Sequence, residues 1–130
     1  MTTPLVGPHP RYAARLRLAP VGGGPRSIDG AWWPRTDDLV SELPRLLTAL
    51  PRTWAQIVHV TVRTATWSAF PGRMLCAGQV LHLHGNAAVH APATVCLLAP
   101  GAGRWDLLVV PHLTDDAEGP RLMAAAFAEQ

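Results

Sequence analysis

The sequence predicts an α+β fold: a mostly antiparallel, curved sheet of about six or seven strands, with one helix after strand 2 and a C-terminal helix. Two observations lead there. Short stretches with an apolar period of two recur along the chain, and two segments instead carry apolar residues at helical spacing, with Gly- and Pro-containing stretches between them. Residues 1 to 13 hold Pro4, Gly7, Pro8 and Pro10, which keep the chain extended, so this segment reads as a flexible leader and residues 14 to 130 as a single α+β domain.

In "ARLRLAP" Leu16 and Leu18 alternate with Arg15 and Arg17, giving a first strand with one wet face; "VGGGPRS" follows as a loop. The second strand, from Ile28, places Trp32 and Trp33 on opposite faces, and Pro34 ends it. Thr36 is an N-cap candidate. Leu39, Val40, Leu43, Leu46, Leu47 and Leu50 then recur at helical spacing, with Pro44 inside predicting a kink near Val40 or a fresh start at Ser41. "QIVHVTVR" sends Val58, Val60 and Val62 to the core and His59, Thr61 and Arg63 away from it, and "TATWSAF" reads as a continuation or a short returning strand. Through "RMLCAGQVLHLHG", Leu75, Ala77, Leu81 and Leu83 share one face and Met74, Cys76, Val80, His82 and His84 the other, with Gly78 a bulge or a hairpin turn. "TVCLLAP" and "RWDLLVVP" form the last hairpin, whose second arm is apolar on both faces, as in a central strand under a helix. "RLMAAAFAE" is the terminal helix, and both helices are expected on one face of the sheet.

A chain of 130 residues fits one core that buries about two thirds of its unfolded surface. Charged residues make up 15% against about 25% in an ordinary soluble domain, which leaves apolar surface for a contact, including a homodimer. The net charge of +2 comes from scattered arginines with no lysine, too little for the basic stripe that phosphates require, so nucleic acid is not an expected partner. No stretch of eighteen apolar residues predicts a membrane span, and the N-terminus lacks a signal-peptide pattern. Cys76 and Cys96 stand alone in apolar stretches and read as reduced thiols in a cytoplasmic protein.

The blocks "LRLAP", "IDGAWWPR", "LVSELPRLLTAL" and "WDLLVVP", in this order, resemble a family of small uncharacterised actinobacterial proteins, a domain of unknown function, from about residue 15 to about residue 112. The resemblance implies a fold unit and no activity. The histidine pair of "LHLHG" departs from the family pattern, so a metal function built on it would be peculiar to this chain.

Three constellations are candidates for chemistry. Asp29, Trp32, Trp33 and Arg35, with Trp67, Trp105 and Asp106, offer bidentate Arg–carboxylate geometry and aromatic faces for a small polar ligand. The competing reading has the tryptophans filling the core and Arg35 or Arg104, Arg35 first, pairing with Asp29 or Asp106 at the sheet edge. His82 and His84 project from one strand face about 6 to 7 Å apart, enough for two ligands to zinc if His59, His90, His112 or Cys76 supplies a third. Cys76 would lie about 20 Å from His82 along an uninterrupted strand, so with two identifiable ligands no dedicated metal site is expected unless Gly78 turns the chain. Nucleophilic catalysis by Cys76 or Cys96 is disfavoured by their apolar settings, and no P-loop, GxGxxG, HExxH or GxSxG occurs. The expectation is a non-enzymatic module with no cofactor that binds a small molecule or a protein partner on an aromatic, Arg/Asp-containing sheet surface. A metal-binding protein or metal-dependent enzyme using His82 and His84, and a self-associating structural protein, are the alternatives.

Overall fold

β1 (Arg15–Leu18) pairs antiparallel with β2 (Gly30–Trp33), and α1 (Leu39–Ala49) follows. Then come β3 (His59–Arg63), β4 (Arg73–Cys76), β5 (Gln79–Asn86), β6 (Thr94–Ala99), β7 (Gly103–Val109) and α2 (Glu118–Ala125). This computed structural model describes residues 13–20, 28–86 and 93–126. The leader up to residue 12, the "VGGGPRS" loop and His90 lie outside the described residues. Among the described residues no helix is long and apolar enough to cross a membrane.

The seven strands form one sheet in the order β1-β2-β7-β6-β3-β5-β4. It is mixed: four neighbouring pairs are antiparallel, while β2–β7 and β3–β5 are parallel. A period of two fixes which side chains share a face but not the direction of the neighbouring strand, which is why the parallel pairs escape a sequence reading. The β3–β5 pair arises because the β4–β5 hairpin inserts its second arm beside β3 and leaves β4 at the edge.

Ala77 and Gly78, with φ of 53° and 80°, make that hairpin a two-residue turn rather than a bulge. Reversal at this point corrects the predicted faces. Leu81 and Leu83 point to the core, but Leu75 is 72% exposed, and Met74 and Cys76 pack against the core while His82 and His84 face away. "TATWSAF" forms no strand; a 3₁₀ turn, Thr64–Thr66, delivers Trp67 into the core, where it stacks on Trp32 with ring centroids 5.5 Å apart.

α1 buries Leu39, Leu43 and Leu46 against Trp32, Val60, Val62, Leu97 and Leu107. It runs unbroken through Pro44, with no fresh start at Ser41. Pro44 leaves the Val40 carbonyl without its helical donor, and Val40 lies on the exposed side, where water can replace it. Thr36 does not cap the first turn. Its Oγ1 accepts from the Asp38 N–H at 3.2 Å and donates to Glu42 Oε2 at 2.9 Å, while Glu42 Oε1 accepts from the Arg35 N–H at 3.2 Å. Glu42 is the buried carboxylate that ties the end of β2 to α1.

The helices do not share a face. Trp32 points down into the α1 side, whereas Ala31 and Trp33 point up and are covered by α2 through Met123 and Leu122. Arg15 holds the other side of Trp33: its guanidinium carbon sits 3.7 Å over the ring, Nε donates to the Trp33 carbonyl at 3.0 Å and Nη2 to that of Pro34 at 2.9 Å. Burial, with a contribution from nearby Arg35, pushes the Arg15 pKa down from its ordinary value.

Two substitutions test this frame. A Cβ at Gly119, inside α2, would overlap the six-membered ring of Trp33. Gly119→Ala, which in an exposed helix gains close to 1 kcal/mol, should here lose about 1 to 3 kcal/mol by overpacking, read as a lowered Tm. Glu42→Ala strips the acceptor from Thr36 and the Arg35 N–H and should cost about 2 to 3 kcal/mol in chemical denaturation.

Candidate functional site

The seven residues of the aromatic constellation do not converge. Trp32 and Trp67 are core residues, Trp33 is buried under α2, and Trp105 stacks on Trp54 with centroids 4.6 Å apart and the planes 1° from parallel. The Trp33 indole N–H is buried and finds no acceptor among the described residues. Asp29 extends the β2–β7 pairing: its N–H donates to the Asp106 carbonyl at 2.7 Å, and its Oδ2 accepts from the Asp106 N–H at 2.9 Å. Asp106 pairs with Arg104, at 3.4 Å, rather than with Arg35. Arg35 engages the β2–α1 junction through its backbone.

What the fold does bring together is a polar grid on the face opposite α1. α2 covers that face only over β2 and the end of β7, so the outward side chains of β3, β5 and β6 stay half-buried or exposed. The ladder registers set two rows. Arg73, His82, His59, Leu98 and Arg104 stand opposite one another in one, and His84, Thr61, Cys96 and Asp106 in the next. The two rows form because every second residue on each strand faces the same way and the strands are in register.

Two hollows lie on this grid. One of about 340 Å³ is lined by His59, Thr61, His84, Cys96, Leu98 and Arg104, and a neighbouring one of about 260 Å³ adds Arg63, Asn86, Thr94 and Asp106. A further hollow of about 370 Å³, on the α1 side near the β4–β5 hairpin, is lined by Leu47, Leu50, Ile57, Cys76 and Leu81 among others and gathers no acid or base besides Arg52. Polar groups with chemical capacity therefore converge on the open face.

His59 occupies the centre of a histidine cluster. Its Nδ1 lies 3.0 Å from His84 Nε2, and its ring centroid is 5.2 Å from those of both His82 and His84. The alternation of "QIVHVTVR" already placed His59 on the outward face, but only the parallel β3–β5 register sets it beside His82. As the rings stand, no three His, Cys, Asp or Glu side chains among the described residues are arranged to hold a metal ion. Cys76 is on the opposite face, and His112 lines a separate hollow beyond β7.

Cys96 sits opposite Asp106 and is half-buried. Burial pushes its thiol pKa up, the Asp106 carboxylate adds to the rise, and Arg104 opposes it. Arg104 in turn is raised by Asp106 first and Cys96 second. A thiol held in its protonated form is a poor nucleophile.

Two measurements check the thiol. In a Cys76→Ser background, Cys96 should react with iodoacetamide more slowly than a free thiol at neutral pH, and its rate should climb only above the ordinary thiol range. Because the folded state retains the proton longer than the unfolded chain, this group stabilises the fold below the unfolded thiol pKa, and that stabilisation disappears as pH rises through the folded pKa. Cys96→Ala should therefore show less alkaline loss of Tm than the parent.

No curated protein and no solved structure matches the chain. A family model matches residues 15–126, covering both edge strands, the histidine cluster and α2, and the chain thus belongs to DUF5994, a family of unknown function.

Proposed function

We propose that this is a non-enzymatic cytoplasmic module that binds a small, polar, anion-bearing ligand on the open half of its sheet. The observation behind the reading is the hollow lined by His59, Thr61, His84, Cys96, Leu98 and Arg104. The aromatic residues are consumed by packing, so recognition passes to this face. Arg104 supplies a planar donor fork suited to carboxylate or phosphate, and its pairing with Asp106 is long and solvent-exposed, so a ligand anion can displace it. Thr61 and the imidazoles supply orienting hydrogen bonds, and Leu98 supplies an apolar floor. The raised Cys96 pKa favours binding over acyl-transfer chemistry.

A thermal-shift panel of small carboxylates and phosphates tests it. A ligand at 100 times its Kd adds about 2.7 kcal/mol to native stability, a shift of several degrees. The expected result is at least one such shift in the parent and none with the same compound in Arg104→Ala. No shift across the panel, or equal shifts in both proteins, counts against the reading.

Self-association is a second reading with its own observation. Leu75 and Val80 face each other across the β4–β5 hairpin, 72% and 47% exposed, at the sheet edge formed by β4. An edge with free backbone groups and apolar flanks is a template for a second strand. On this reading, sedimentation of the parent shows a dimer that Leu75→Glu converts to monomer.

A further inference from the structure

We propose that His59, His82 and His84 bind one divalent transition-metal ion of the zinc class, with the remaining coordination position open to solvent. Three neutral imidazoles are borderline-soft donors that suit zinc, copper, nickel or cobalt and not magnesium or calcium. Three protein ligands plus one exchangeable position is also the ligand count of open zinc sites.

The backbone supplies the geometry. His82 and His84 are two residues apart on β5 and project from the same face; the parallel register puts His59 directly opposite His82, with His84 on the diagonal opposite Thr61. The ladder bond from the His82 N–H to the Val58 carbonyl, at 2.9 Å, fixes that register. His59 Nδ1 and His84 Nε2 are 3.0 Å apart. Two nitrogens on one tetrahedral zinc, each at about 2.0 to 2.1 Å, are about 3.3 Å apart. These two rings thus need to open by a few tenths of an ångström and to turn so that both lone pairs aim at one point instead of along the line between them, exchanging a hydrogen bond for a shared ion.

His82 is the ligand that must move. Its ring stacks against that of His59 at 28°, so no third nitrogen yet points between the other two. Rotation about its side-chain bonds, an adjustment open to a ring that is only partly buried, turns one nitrogen toward the pair while the backbone stays in register. Asp106 is engaged by Arg104 two strands from His59, which leaves the imidazoles as the donors here. Arg73, opposite His82, puts positive charge near the open position and favours an anionic fourth ligand.

Because His59 and His84 also line the ligand hollow, the ion would stand at its rim, but the inference does not rest on the ligand reading: Arg104 takes part in one and not in the other. The test is calorimetric titration of zinc chloride into chelator-stripped protein carrying no histidine tag, repeated with cobalt to record the absorption bands of tetrahedral coordination. Expected are one equivalent of zinc at micromolar Kd or tighter, at least a tenfold loss in each of His59→Ala, His82→Ala and His84→Ala, and unchanged binding in His112→Ala, which lies at a separate hollow. Should an alanine variant melt abnormally, the glutamine variant at the same position replaces it. No stoichiometric binding by the parent, or binding that survives His59→Ala, overturns the proposal.

Discussion

Adjacent tryptophans on one short strand impose the constraint that organises this molecule. A strand sends consecutive side chains to opposite faces, so Trp32 and Trp33 can both be buried only if both faces of β2 are covered. α1 covers one and α2 the other, and the close contact between Gly119 and Trp33 brings α2 down onto the sheet. β2 accordingly sits inside the sheet, between β1 and β7, rather than at its margin. Arg15, on the edge strand β1, closes the remaining side of Trp33.

That constraint also locates the chemistry. Of the two α-helices among the described residues, one spans the core face and the other is committed to β2, so among those residues neither covers the opposite face of β3, β5 and β6. Polar residues at alternate positions of these strands, which would be costly in a core, are tolerated there and line up across the ladders. The grid of histidines, Thr61, Cys96, Arg104 and Asp106 is thus a by-product of how the tryptophans are buried. An anionic ligand and a metal ion would use neighbouring parts of it, Arg104 for the first and His59 with His82 and His84 for the second.

Much of this was legible in the residues. Periodicity located β1, β2, α1, β6, β7 and α2, separated Trp32 from Trp33, put His59 on an outward face and put His82 and His84 on one face. Where the reading failed, the reason was local geometry that composition does not encode. Of the two alternatives at Gly78 the hairpin turn is the one formed, and its two consecutive positive φ values, at Ala77 and Gly78, overturn the face assignment and carry Cys76 to the far face from His82. Of the two arginines that the sequence offered to Asp106, it is Arg104, two residues away on the same strand, that pairs with it, and not Arg35, the first choice.

The sequence by itself determined which residues alternate and which are apolar, and hence the α+β class, the opposite faces of Trp32 and Trp33 and the shared face of His82 and His84. Strand order, strand direction and the side of the sheet taken by each helix were decided only in the tertiary structure. The physical reason is that a period of two is invariant to the direction and identity of the neighbouring strand, whereas the third histidine depends on both: His59 and His82 are 23 positions apart in the chain and become neighbours only because β5 lies parallel to β3.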